Sequence, residues 1–183
     1  LTPDKISFSE RRLMPVARRF GFRDIDSLVG ELRRSGGALA EAVTEAMTIN
    51  ESSFFRDGPL FERLREKLLP DLVRRRGGEK RLRIWSAAAA AGQEAYSVAM
   101  ILDGLGLAAD GWAIDLIATD LSGAAVARAE EGRYSSFEVQ RGLAPRDLAA
   151  WFRRDGEHWR IAEHLRRMVT FRTFNLLDSY GWL

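Results

Sequence analysis

Apolar residues recur at helical spacing three times before residue 50. Leu13, Val16, Ala17 and Phe20 predict a first helix that Gly21 closes, with Ser7-Phe8-Ser9-Glu10 as a capping box at its start. Asp24 caps a second helix whose apolar face is Ile25, Leu28, Val29 and Leu32, and Ser35-Gly36-Gly37 ends it. Leu39, Ala42, Val43 and Met47 mark a third. Three short amphipathic helices joined by glycine turns predict a small helical domain over residues 1–50. Pro59 suits the first turn of a further helix, with Phe61, Leu64, Leu68 and Leu72 as its buried stripe and a kink at Pro70. This connecting helix and linker, residues 51–80, closes on Arg74-Arg75-Arg76-Gly77-Gly78.

From residue 81 the pattern changes period. An apolar segment, Leu82 to Trp85, runs into the side-chain-poor stretch Ser86 to Ala91, and a helix opens at about Gly92 with Tyr96, Met100 and Leu102 inward. A strand, a turn of small residues and a helix N-terminus leave backbone amides and a positive partial charge open to a ligand. Asp115 to Asp120 reads as a second strand, followed by a helix from Ala124 to Glu131. Trp151 to Ile161 reads as a hairpin turning at Asp155-Gly156, and Met168 to Phe174 as a third parallel strand. Strands alternating with helices predict an α/β domain over residues 81–183, with right-handed crossovers.

Composition narrows the class. Apolar residues at 46% suffice for a packed core, and no run approaches a membrane span. The absence of cysteine removes disulfides and thiolate chemistry and fits a cytoplasmic setting. Two histidines, His158 and His164, give no expectation of a metal site. The net charge of +2 argues against nucleic acid. Its basic excess lies in residues 1–80, where Arg11, Arg12, Arg18, Arg19, Arg33 and Arg34 form either a solvated face or a docking surface for an acidic helix.

The chemistry sits at the bend after the first strand. A dinucleotide fingerprint needs three glycines, and only Gly92 is present; a Gly-Lys-Ser/Thr phosphate cradle is missing too. A phosphate-free nucleoside joined to an amino acid suits the bend better. S-adenosylmethionine fits that description, with Asp120 accepting from the ribose diol and the Gly92/Glu94 region at the methionine end. The segment Met47 to Asp57 adds hydrogen-bonding groups at Asn50 and Ser52 and a cation at Arg56. Phe54 and Phe55 either wall off water over the ligand or are simply core residues.

Six collinear blocks resemble the CheR family of chemotaxis-receptor protein-glutamate O-methyltransferases. They are Asn50-Glu51-Ser52-Ser53-Phe54-Phe55-Arg56-Asp57; Trp85-Ser86-Ala87-Ala88 with Gly92-Gln93-Glu94-Ala95-Tyr96-Ser97; and Ala118-Thr119-Asp120-Leu121-Ser122. Gly132-Arg133-Tyr134-Ser135, Arg141-Gly142-Leu143 and Asn175-Leu176-Leu177 complete the set. The resemblance implies a helical subdomain followed by the first half of a Rossmann-like methyltransferase domain, its three strands in the order 3-2-1. It implies S-adenosylmethionine binding, with S-adenosylhomocysteine as product, by Asn50, Ser52, Arg56, Gly92, Glu94, Asp120, Asn175 and Leu176. It further implies methyl transfer to glutamates of chemoreceptor cytoplasmic helices, recognised in part through Arg11, Arg12, Arg18 and Arg19. Arg56 is the candidate for orienting the substrate carboxylate.

Two departures from the family pattern stand out. Ala89-Ala90-Ala91 replaces polar residues, and the chain stops before the fourth strand that would pair with the first. The first strand is therefore expected to be an exposed edge through which chains associate, and an inactive or incomplete fragment is one expectation for the chain. A non-catalytic module that binds S-adenosylmethionine or receptor is the alternative function; a nicotinamide-dependent dehydrogenase is disfavoured by the missing glycines.

Overall fold

The computed structural model describes residues 3–182, and the chain falls into two compact units, one ending at Ile49 and the other beginning at Asn50. The first unit holds α1 (Pro3–Arg19), α2 (Ile25–Leu32) and α3 (Ala38–Met47). Val16, Ala17, Leu28 and Leu39 form its core. Asp24 caps α2 by accepting from the Ser27 amide at 2.8 Å. The capping box expected at Ser7 does not form, because α1 already begins at Pro3, whose fixed φ suits a first turn. Ser7 lies inside the helix, and its carbonyl accepts from Arg11 Nε.

The second unit opens with α4 (Gly58–Arg63), a π-helical segment (Leu64–Leu68) and α5 (Leu69–Arg75). Pro70 cannot donate a backbone hydrogen bond, and its ring crowds the carbonyl four residues back. Widening the preceding turn relieves both, and the Leu69 amide bonds Leu64 O, five residues back. The extra residue shifts the buried face by one position. Phe61, Leu64, Leu69 and Val73 pack inward, whereas Leu68 and Leu72, expected in the stripe, are 42% and 41% exposed.

The main sheet contains β1 (Arg81–Ala87), β2 (Ala113–Asp120) and β6 (Val169–Thr173), all parallel, with β2 in the middle. β1 pairs from Arg81↔Ala113 to Ala87↔Thr119, and β2 pairs with β6 from Leu116↔Val169 to Asp120↔Thr173. The order 3-2-1 is thus observed, and among the described residues β1 is an edge. α6 (Gln93–Gly104) connects β1 to β2 and is buried at every position from Gln93 to Leu102 except Glu94. α7 (Gly123–Glu131) follows β2. The hairpin turning at Asp155-Gly156 is present as β4 (Phe152–Asp155) and β5 (His158–Ile161). β3 (Arg133–Ser135), which the sequence pattern left without a strand, adds antiparallel to β5. The short helices α8 (Ser136–Gln140), α9 (Pro145–Trp151) and α10 (Glu163–Met168) fill the connections.

Candidate functional site

The three parallel strands end on one side of the sheet, and their C-terminal ends bring the candidate residues together. β1 runs into Ala88-Ala89-Ala90-Ala91-Gly92, in which Ala88, Ala90 and Gly92 take φ values of 56°, 49° and 87°. Left-handed backbone costs an alanine about 1–2 kcal/mol, so this bend needs anchors. Ala89 N donates to Thr119 O at 2.9 Å, and Ala90 N donates to Asp120 Oδ2 at 2.7 Å. The Tyr134 hydroxyl donates to Ala91 O at 2.7 Å. Burial pushes the Tyr134 phenol well above its ordinary pKa, so it stays a donor at every physiological pH. Gly92 is required both by its φ and by space. A Cβ there would meet Ala129 Cβ at 2.9 Å and Phe171 Cζ at 3.0 Å.

Asp120 ends β2 and is 6% exposed. Its second oxygen accepts from Ser122 N at 2.9 Å, so each carboxylate oxygen already holds one backbone amide. A carboxylate offers about four acceptor positions, and the two remaining suit a diol. Glu94 stands exposed in the first turn of α6, its Oε1 3.4 Å from Ser86 Oγ. Among the described residues no side chain caps the α6 N-terminus. Open amides beside an exposed carboxylate match the two charges of an amino-acid end: amides for its carboxylate, Glu94 for its ammonium. The donor set present therefore fits S-adenosylmethionine. When bound, that cofactor supplies a methyl group activated on a sulfonium.

Asn175 and Leu176 follow β6 after Phe174. Phe174 N donates to Asp120 O at 2.9 Å, which places them next to the end of β2. Asn175 Oδ1 accepts from Leu177 N at 3.0 Å, and Leu176 is exposed. Asn50, Ser52 and Arg56 lie on the segment leading into α4. Arg56 Nη1 donates to Glu51 O at 2.9 Å, closing that segment on itself, and Glu51 pairs with Arg141 at 2.9 Å. Phe55 N donates to Ser97 Oγ at 3.0 Å, tying the segment to α6 one turn beyond Glu94. Phe54 is wholly buried against Tyr134 and Phe152, so it is a core residue and not a wall over a ligand. Phe55 packs on Phe61.

In the helical unit, Arg11, Arg18, Arg19, Arg33 and Arg34 are exposed. Arg12 is not part of that face. Its Nη1 donates to Ala46 O at 3.0 Å and Thr48 O at 2.7 Å, holding the C-terminal end of α3 where a cation complements the helix dipole.

Two concavities among the described residues are lined by other segments. One concavity of about 330 Å³ lies beside Glu130, Glu163 and Arg166, and one of about 690 Å³ lies beside Met14 and Ile25; neither is lined by the bend. Donors and acceptors identify the site instead, because a nucleoside–amino acid ligand is held by its hydroxyls and its charged end. Two supports escaped the pattern of the sequence. Tyr134 and Gly142 each sit in a family-like block, but only the fold gives them a role. Gly142 has φ 114°, and a Cβ on it would fall 1.9 Å from Phe54 O.

A parallel sheet whose strand ends carry a helix N-terminus and a buried, ligand-ready aspartate defines a nucleoside-cofactor fold of the methyltransferase type. Residues 50–182 match the family described as CheR methyltransferase, SAM binding domain, and the chain belongs to that family. The cofactor of this domain is S-adenosyl-L-methionine. The chain is 40% identical over 178 residues to chemotaxis protein methyltransferase 1 of Pseudomonas aeruginosa, and 38% identical over 179 to chemotaxis protein methyltransferase Cher2 of Pseudomonas putida. Those alignments cover 94% of this chain but 64% of either relative's length. A probable chemotaxis protein methyltransferase of Rhizobium etli is 30% identical, with 98% of this chain and 69% of that protein aligned. Among the described residues no helix is long and apolar enough to cross a membrane.

Proposed function

We propose that this chain binds S-adenosylmethionine at the β1–α6 bend and serves methyl transfer to glutamate side chains on chemoreceptor helices. The observation that supports this most directly is Asp120, buried at the end of β2 with one backbone amide on each oxygen and acceptor capacity left over. The substrate glutamate is already ionised at neutral pH, so the protein has no proton to remove. Its work is to hold a carboxylate oxygen in line and to exclude water.

Within this reading, Asn50, Ser52, Gly92, Glu94, Asp120, Asn175 and Leu176 hold the cofactor, and Arg56 orients the glutamate. Arg56 is exposed, one of its nitrogens is bonded to a neutral carbonyl, and the carboxylate that feels its charge, Glu51, is itself paired with Arg141. Arg11, Arg18 and Arg19 supply the acidic-helix contact. A helical domain over residues 1–50, a connecting segment over 51–80 and a methyltransferase domain over 81–183 are part of the same reading. Calorimetry with S-adenosylhomocysteine and a labelled-methyl assay on receptor peptide test the two halves separately. Heat on titration together with label on the peptide supports the reading; absence of heat overturns it. Arg56→Ala is expected to lower kcat/KM about 10- to 100-fold, the loss of one charge-assisted contact of roughly 1.5–3 kcal/mol.

A second reading is favoured by the alanines at 89–91. With no hydroxyls there, cofactor or receptor binding without turnover is the outcome if heat appears but label does not. Association through the β1 edge belongs to the same proposal, and a scattering profile that stays monomeric at high concentration contradicts it.

A further inference from the structure

The helix that opens the second unit runs without a break from Gly58 to Arg75, through α4, the π-helical segment and α5. Residues four apart share one side of a helix, so its positions fall into four rows. The row of Phe61, Leu69 and Val73 faces the core. Beside it runs the row Leu60, Leu64, Leu68 and Leu72, of which Leu64 packs against the core. Leu60 is 53% exposed, and Leu68 and Leu72 are the two leucines that the π turn carries outward. Together they make an apolar stripe about 18 Å long, not a scatter of single surface residues. The next row towards solvent is Arg63, Lys67, Asp71 and Arg75. Its three cations are exposed, and among the described residues none has a carboxylate within ion-pair distance. Asp71 is already paired with Arg74 at 2.8 Å. Glu62 and Glu66 stand on the fourth row, which the cations separate from the leucines.

We propose that this stripe is a docking surface for an acidic amphipathic helix, whose apolar side packs on Leu60, Leu68 and Leu72 while its carboxylates face Arg63, Lys67 and Arg75. A partner helix meets such a stripe through apolar residues at matching spacing, and the charges alongside select the partner's sign. A second copy of the chain matches the leucines but not the charges. Paired antiparallel about Glu66, Leu60 would lie on Leu72 and Leu64 on Leu68, yet the two cationic rows would then run side by side. An anionic lipid surface is broad enough to meet Glu62 and Glu66 as well, whereas a helix seated on the leucines meets only the cationic row. The surface belongs to the second unit and does not depend on the methyl-transfer reading.

Fluorescence anisotropy of the whole chain with a labelled peptide of repeated Leu-Leu-Glu-Glu, about 20 residues long so that it holds a helix in water, tests the surface. Binding is expected with Kd on the order of 0.1 mM, and the same peptide with glutamine for glutamate should bind at least about tenfold more weakly. Raising salt from about 10 mM to about 150 mM shortens the Debye length from about 30 Å to about 8 Å, which should weaken the glutamate peptide about threefold or more. Leu68→Gln with Leu72→Gln should weaken it about tenfold or more with the melting temperature retained, because both leucines already face solvent. Arg63→Gln, Lys67→Gln and Arg75→Gln together should bring the glutamate peptide to the level of the glutamine peptide. Unchanged binding in either variant overturns the proposal. So does a loss in Arg18→Gln with Arg19→Gln, which would put the peptide on the first unit. Self-association, or binding to phosphatidylglycerol vesicles, that the leucine variant abolishes while the peptide fails to bind overturns it in favour of a second copy or a lipid surface.

Discussion

Replacing Asp120 by asparagine tests the bend at a single atom. The carboxylate holds Ala90 N at 2.7 Å and Ser122 N at 2.9 Å, one amide on each oxygen. Asparagine has a single acceptor oxygen, so whichever way its amide lies, its NH2 group faces one backbone N–H. One charge-assisted hydrogen bond, worth about 1.5–3 kcal/mol, is lost, and the orphaned amide costs about 1–3 kcal/mol more. Partial relaxation lowers the sum, and a net loss of about 3 kcal/mol is expected. For a chain of this size about 2–4 °C accompanies each kcal/mol, so Tm should fall by roughly 6–12 °C. Calorimetry with S-adenosylhomocysteine on the same sample should show affinity reduced at least about tenfold, because the ribose diol loses its charged acceptor. A melting temperature within about 2 °C of the wild type refutes the claim that this carboxylate braces the bend. A large stability loss with unchanged binding is equally decisive: Asp120 would then build the bend while the ribose sits elsewhere.

Three further outcomes follow from the same structure. Gly142→Ala should destabilise by about 3–5 kcal/mol in denaturant melts, since left-handed strain adds to a Cβ placed 1.9 Å from Phe54 O; a loss below about 1 kcal/mol would mean that the backbone there gives way freely. Tyr134→Phe leaves Ala91 O without its donor and should cost about 1–3 kcal/mol while weakening S-adenosylhomocysteine, and unaltered binding would separate the tyrosine from the site. The hydroxyl and amide of Ser27, assisted by Arg23, hold the Asp24 carboxyl down from its ordinary 3.8 to about 2. A depressed folded pKa stabilises α2 above the ordinary value, and that contribution is lost as pH falls from about 4 towards 2. A carbon-detected NMR titration of Asp24 should give a midpoint near 2, and a midpoint near 4 would show that the cap is not formed in solution.

What the sequence by itself determined were features written in local pattern. The three amphipathic helices, the cap at Asp24, the parallel direction of the strands and the placement of Asp120 at a strand end all follow from periodicity, turn residues and strand–helix alternation, whereas the strand order came only with the family resemblance. The family resemblance was legible for the same reason, because its blocks are short contiguous runs around the strand ends. Tertiary structure decided whatever depended on partners distant in the chain. The buried stripe after Pro59 slipped from Leu68 and Leu72 to Leu69 and Val73, because a π turn is one answer to Pro70 and the core selected it. Arg12 and its arginine neighbours look alike in sequence, yet Arg12 reaches carbonyls 34 and 36 residues away at the end of α3. Ala88 and Ala90 carry no sign of left-handed backbone. Their conformations exist because Thr119, Asp120 and Tyr134, all brought in by folding, supply the hydrogen bonds that outweigh the strain.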